Sequence, residues 1–136
     1  MKNLKYFMQF SLTIFCFLIF KILGPNLSSK LSGKIFEFIG PFFRSRQLIH
    51  SNIKRGVPDI SSENLKNITR LMWNNYGRLF AEYMFIKNFR HGKLENKIQI
   101  EGQEILDEIK RSEKKVIFIS GHFSNFELMA MYLEKT

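Results

Sequence analysis

Lys115-Val116-Ile117-Phe118-Ile119-Ser120-Gly121-His122-Phe123-Ser124-Asn125-Phe126-Glu127 is the stretch on which the reading of this chain turns. Its first half is a continuous β-branched and aromatic run, the pattern of a strand buried on both faces. Its second half hands over to Leu128–Leu133, which reads as a helix. Upstream, Lys97-Ile98-Gln99-Ile100-Glu101 alternates apolar and polar residues, as a strand with one buried face does. Between the two, Ile105, Leu106 and Ile109 form one face of a short helix after the turn at Gly102. Strand, helix, strand, helix in that order is the opening of an α/β sheet.

His122 then occupies the C-terminal end of a buried strand, where ligands bind in open α/β sheets. Histidine serves as a general base near neutral pH because its ordinary pKa lies close by. A carboxylate on the far ring nitrogen would orient it and stabilise its protonated form. Glu127 is the candidate, five positions on. In an uninterrupted helix that spacing separates two side chains by about 140°, so the pair meets only at a strand-to-helix junction, with His122 ending the strand and the helix beginning near Ser124. Ser124-Asn125-Phe126-Glu127 also matches a capping box, in which Glu127 would bond back to the backbone at Ser124. Spacing alone leaves both roles open. A metal centre is disfavoured because no third ligand lies nearby, and His50 and His91 read as solvent-facing structural residues.

The N-terminus has a different character. Lys2 and Lys5 precede an apolar run from Tyr6 to Phe20, extended by Ile22 and Leu23 beyond Lys21. About 18 residues at about 1.5 Å each reach roughly 27 Å as a helix, enough for a hydrocarbon core if Lys21 snorkels. Gly24-Pro25-Asn26-Leu27-Ser28 lacks a small-x-small cleavage pattern, which favours an uncleaved anchor over a signal peptide. Lysines flank the segment at both ends, so the positive-inside tendency does not choose an orientation, and a helix dipping into one leaflet satisfies both ends.

Leu27, Leu31, Ile35, Phe38 and Ile39 recur at helical spacing up to Gly40-Pro41. A basic, aromatic segment follows, with Arg44, Arg46, His50, Lys54 and Arg55 among Phe42, Phe43, Leu48, Ile49 and Ile53; it suits anionic head groups. Val57-Pro58-Asp59 makes a turn, and Ser61 or Ser62 can cap the next helix. There Leu65, Ile68, Leu71, Met72, Tyr76, Leu79, Phe80, Tyr83 and Met84 predict a long helix with that stripe as its core face. Glu82 stands beside the stripe and reads as a solvated residue. The divisions expected are 1–23 as membrane anchor, 24–92 as a helical membrane-proximal region, and 93–136 as the start of an incomplete α/β domain.

The formal net charge of +9 over 136 residues admits a nucleic-acid or an anionic-membrane partner. The basic residues are scattered and no nucleic-acid-binding module accompanies them, so nucleic acid is the weaker reading. The single cysteine, Cys16, lies in the apolar run and excludes an internal disulfide.

Ile100-Glu101-Gly102 and the run from Val116 to Glu127 resemble the lipid A biosynthesis acyltransferases, the lauroyl and myristoyl transferases of Gram-negative bacteria. That family's histidine, four residues and an acid is kept as His122 and Glu127. Asn52-Ile53-Lys54-Arg55-Gly56-Val57-Pro58-Asp59-Ile60-Ser61 is similar to the family's asparagine-to-proline stretch, and the N-terminal helix and Glu82 fit as well. The resemblance implies transfer of an acyl chain from acyl carrier protein or acyl-coenzyme A to a hydroxyl of a lipid A precursor at the cytoplasmic side of the inner membrane. It implies His122 as base, Glu127 as its partner, and no cofactor or metal. Family members run to roughly twice this length, so the chain is expected to be an N-terminal portion, nearly inactive alone or completed by a separately encoded C-terminal half. Two other classes stand beside it: a membrane-anchored interaction module without catalysis, and a basic nucleic-acid-binding domain.

Overall fold

The computed structural model describes residues 2–121 and 124–135, and every regular element among them is helical. Helix α1 spans Lys2–Ile39, α2 Arg46–Gly56, α3 Ser62–Glu82, α4 Ile86–His91, α5 Gln103–Ser112 and α6 Glu127–Lys135. Short 3-10 turns occupy Gly40–Phe42, Tyr83–Phe85 and Glu95–Lys97. The chain divides into two compact units, Met1–Met84 and Phe85–Thr136.

In the first unit, α1 packs along α3. α1 is kinked at Gly24, whose φ of 74° and ψ of 170° leave the helical region. Pro25 contributes to the break, because it has no N–H to return to the preceding turn. Ser28, fully buried, stands at the kink with its hydroxyl 2.9 Å from the Phe20 carbonyl and 2.6 Å from that of Gly24. It donates to one of them at a time, within a backbone that the kink has opened. Phe17 and Phe20 from before the kink and Phe36 from after it surround Phe80 of α3, with ring centroids 5.6, 5.9 and 5.7 Å away. Those separations lie in the favourable range for aromatic pairs. The kink thus lets both halves of α1 grip one ring.

The contact between the helices is built on small residues. On α1, Ser28, Ser29, Ser32 and Gly33 are buried. On α3 the buried positions are Leu65, Thr69, Trp73, Gly77 and Ala81, one every four residues. This corrects the expected stripe. Leu65 is buried and Phe80 packs against α1, but Ile68, Leu71, Tyr76 and Tyr83 are 40%, 48%, 53% and 45% exposed, so only part of the stripe is the packed face. Backbones approach closely where side chains are small, and that approach brings Thr69, Gly77 and Ala81 onto the packed face beside Leu65 and Trp73.

The caps follow the sequence. Ser61 accepts from the Asn64 N–H at 3.2 Å to start α3, and Ile60 N–H closes the Val57 turn at 3.3 Å. Ser45 caps α2 in the same way. Before the kink, Leu4, Phe7, Met8, Phe10, Leu12, Phe15 and Leu18 are all more than half exposed. One helix is therefore long and apolar enough to cross a membrane, and little of its apolar surface is covered by protein.

The α/β expectation is not met. Among the described residues there is no strand, and the anticipated β-α-β-α opening is absent, although the helical N-terminal region is present. Lys97 closes a 3-10 turn and Ile98–Ile100 carry no regular structure. The run 115–120 is irregular as well, with Val116, Ile117, Phe118 and Ile119 exposed by 45%, 89%, 53% and 93%. A strand exists only by exchanging backbone hydrogen bonds with a neighbour. A run apolar on both faces also needs cover on both. Among the described residues nothing supplies either. The helix expected around Ile105, Leu106 and Ile109 does form as α5.

Candidate functional site

His122 lies outside the described residues, so its distance to Glu127 is not part of the structure. The chain on either side is described. α5 ends at Ser112 and is capped by Glu113, which takes the left-handed φ of 53°, and the irregular segment runs on to Gly121. Ser120 Oγ donates to the Gly121 carbonyl at 3.1 Å and lies 3.5 Å from Met129 Sδ.

Helix α6 begins at Glu127 rather than near Ser124. Asn125 and Phe126 supply its first carbonyl acceptors, to Leu128 at 3.2 Å and Met129 at 3.1 Å. Ser124 sits at a φ of 45°. An N-cap residue takes extended backbone instead, so the capping-box alternative loses its geometry at Ser124. Glu127 is half-buried at the first helical position, where a carboxylate is favoured by the helix dipole. Asn125 Oδ1 is buried without a hydrogen-bond partner among the described residues. An acceptor in that condition can take a donor from a bound group without competing for it.

The rest of α6 is held within the second unit. Tyr132 hydrogen-bonds to Gln103 of α5, and Glu134 pairs with Arg90 of α4 at 2.8 Å. Leu128, Met131 and Tyr132 line a small cleft of about 100 Å³ with Phe89, Ile98 and Ile100. The helix carrying Glu127 is therefore anchored at its far end by a hydrogen bond and an ion pair. At its near end Leu128 and Met129 donate to the Asn125 and Phe126 carbonyls.

In the first unit, Glu82 is only partly solvated. It is half-buried and accepts a hydrogen bond from Ser29 Oγ of α1 at 2.9 Å. That bond ties the helices together next to the kink and gives Glu82 a structural task. Glu37, which the sequence did not single out, is a second polar tie. Its Oε1 accepts from Asn74 at 2.6 Å and from Arg70 at 3.1 Å, both on α3, and Lys34 lies 3.3 Å away. Glu37 lies beyond the kink, outside the apolar segment 2–23. Partial burial pushes its carboxyl up, but the bonds from Asn74, Lys34 and Arg70 outweigh this and hold it below its ordinary value. His50, expected to face solvent, is half-buried in the wall of a basic cavity on α2. His91 is exposed at the end of α4. Among the described residues no cluster of His, Cys, Asp and Glu is placed to hold a metal ion.

No curated protein and no solved structure matches this sequence. The family model described as bacterial lipid A biosynthesis acyltransferase matches residues 1–136, the whole of the sequence. On that match, the chain belongs to the bacterial lipid A biosynthesis acyltransferase family.

Proposed function

We propose that this chain serves acyl transfer from a thioester, on acyl carrier protein or coenzyme A, to a hydroxyl of a lipid A precursor. The site would lie at the cytoplasmic face of the bacterial inner membrane. The observation that carries the reading is the family match across residues 1–136, which includes His122 and Glu127. The exposed apolar segment before Gly24 supports the membrane placement.

In the proposed step the acceptor oxygen attacks the thioester carbonyl while His122 removes its proton. The tetrahedral intermediate collapses, the C–S bond breaks, and the thiolate leaves with the proton returned from His122. Glu127 orients the imidazole and stabilises its charged form during the transfer. The net change is one C–S bond exchanged for one C–O bond, with the proton moved from hydroxyl to thiol. No redox partner is needed.

The test is an acyl-transfer assay in membranes bearing the chain, with labelled acyl donor and a lipid A precursor. It is run on the chain alone and with a C-terminal segment from the same family co-expressed. Removal of a positioned base is worth roughly 10²- to 10⁴-fold, so His122→Ala should lower product formation by at least that smaller factor. Product formation that is insensitive to His122→Ala would sink the proposal.

A further inference from the structure

A cavity of about 270 Å³ lies in the first unit among the end of α1, α2 and α3. Pro41, Ile49 and Trp73 make its apolar wall. Its basic rim comes from Arg44 in the connection, Arg46 and His50 on α2, and Lys66 and Arg70 on α3. Arg46 and His50 are four residues apart, as are Lys66 and Arg70, so each helix offers a basic pair from one face.

Only part of this charge is answered. Arg70 pairs with Glu37, which also lines the cavity and places one carboxylate there. Arg44, Arg46 and Lys66 have no carboxylate partner among the described residues. Three cations without a carboxylate partner, sharing a concave site that holds one carboxylate already paired with Arg70, favour an anion between them. Trp73 stands in the apolar wall of the same cavity. It is only 8% exposed, and its Nε1–H is buried with no acceptor among the described residues. A buried indole N–H usually finds a partner.

The neighbouring cavity, about 720 Å³, shares Arg44, Ile49 and Trp73 with the first. Its remaining wall is mostly apolar, with Phe36, Phe43, Ile53 and Tyr76. The first cavity is smaller than the roughly 300–1,000 Å³ of a whole-ligand pocket. Its size suits a head group whose apolar part lies next door.

We infer that the basic cavity is a subsite for the phosphate monoester of a lipid head group. Arg44 and Arg46 serve as donors, and the adjoining groove takes the lipid's apolar portion. A phosphate takes several charge-assisted hydrogen bonds from guanidinium groups, and Arg matches its geometry in a bidentate manner. The inference rests on the proposed function for one point only, that a phosphorylated lipid reaches this face of the protein.

Trp73 is the only tryptophan in the chain, so intrinsic fluorescence reports on this cavity. The detergent-solubilised full chain is titrated with short-chain phosphatidic acid, with phosphatidylglycerol of the same acyl length, and with inorganic phosphate. Phosphatidic acid should give a saturable change in Trp73 emission, about tenfold tighter than either of the others, since a monoester carries more charge and oxygen acceptors than a diester. The double variant Arg44→Ala/Arg46→Ala should weaken this binding by about tenfold or more, as loss of charge-assisted bonds requires. Lys114→Ala/Lys115→Ala, which removes the same charge from an exposed stretch elsewhere, should leave it unchanged. Equal binding of phosphatidylglycerol overturns the inference in favour of diffuse surface charge, and equal binding of inorganic phosphate overturns the lipid source. Absence of a saturable signal, or equal loss in the lysine pair, overturns the site itself. The His122→Ala chain should bind phosphatidic acid normally, so failure of acyl transfer and failure of this subsite are read separately.

Discussion

Gly77 of α3 crosses Ser32 of α1 so closely that a β-carbon on Gly77 would stand 2.3 Å from the Ser32 carbonyl oxygen. That oxygen belongs to the backbone of a helix and cannot swing aside as a side chain would. Alanine would gain about 1 kcal/mol of helix propensity over glycine at an open position. Here the overlap forces the helices apart, and overpacking of this kind costs typically 1–3 kcal/mol. Gly77→Ala should therefore lower the thermal unfolding temperature of the detergent-solubilised chain. A variant as stable as the parent would mean that α1 and α3 do not pack at this distance.

Gly24 is sensitive for the opposite reason. A β-carbon there meets nothing within 4 Å, so space is not the constraint. Its φ of 74° with ψ of 170° is a backbone region open essentially to glycine alone, and other residues there cost about 1–3 kcal/mol. Gly24→Ala should relieve that strain by straightening α1, which pulls Phe17 and Phe20 away from Phe80. The expected signature is loss of stability together with a weakened Phe17–Phe80 coupling. A double-mutant cycle with Phe17→Leu and Phe80→Leu, run in both backgrounds, would measure it.

Glu37 gives the first unit a pH dependence of known sign. Its carboxyl is held below the ordinary value of 4.5 once the bonds from Asn74, Lys34 and Arg70 outweigh burial. A group whose folded pKa is depressed contributes stability that is present above the unfolded pKa. That contribution is lost as pH falls through the folded pKa. Denaturation midpoints should thus fall on acidification below about pH 4.5, and the fall should be shallower in Glu37→Gln. An identical acid limb in both proteins would remove Glu37 as the cause.

The helices of the first unit were legible because their signals are local. The Ser61 cap, the Val57-Pro58 turn and the Gly24-Pro25 break each act within a few residues, and each appears where the sequence puts it. The packed face of α3 was only partly legible from hydrophobicity. The signal that would have found it is the fourfold spacing of Thr69, Trp73, Gly77 and Ala81 opposite a Ser-and-Gly stretch on α1. Basic pairs four apart, Arg46 with His50 and Lys66 with Arg70, were equally visible, but their convergence depends on how α2 meets α3. The strand assignments failed for a different reason. Composition marks Val116–Ile119 as strand-forming, yet pairing is a non-local property that no run of residues carries by itself. Of the candidate site, the helix read from Leu128 starts one residue earlier, at Glu127, and not near Ser124 as the pairing with His122 was expected to need.

If Glu127 acts through His122, its substitution has a characteristic energetic pattern. Glu127→Gln keeps the shape and a hydrogen-bonding oxygen but loses the charge that stabilises the imidazolium. It should lower acyl transfer in kcat with little change in KM for the acceptor, because that charge matters only once His122 is protonated. In the His122→Ala background the same substitution should cost almost nothing further, since residues that act as a unit are non-additive. A role confined to the helix N-terminus predicts otherwise: about 0.3–1 kcal/mol of stability lost whichever residue stands at 122, and independent effects on rate. Rates for the two single variants and the double variant, measured beside their unfolding midpoints, separate the two roles. Additive rate losses that track stability would remove Glu127 from the proton transfer and leave it as the first residue of α6.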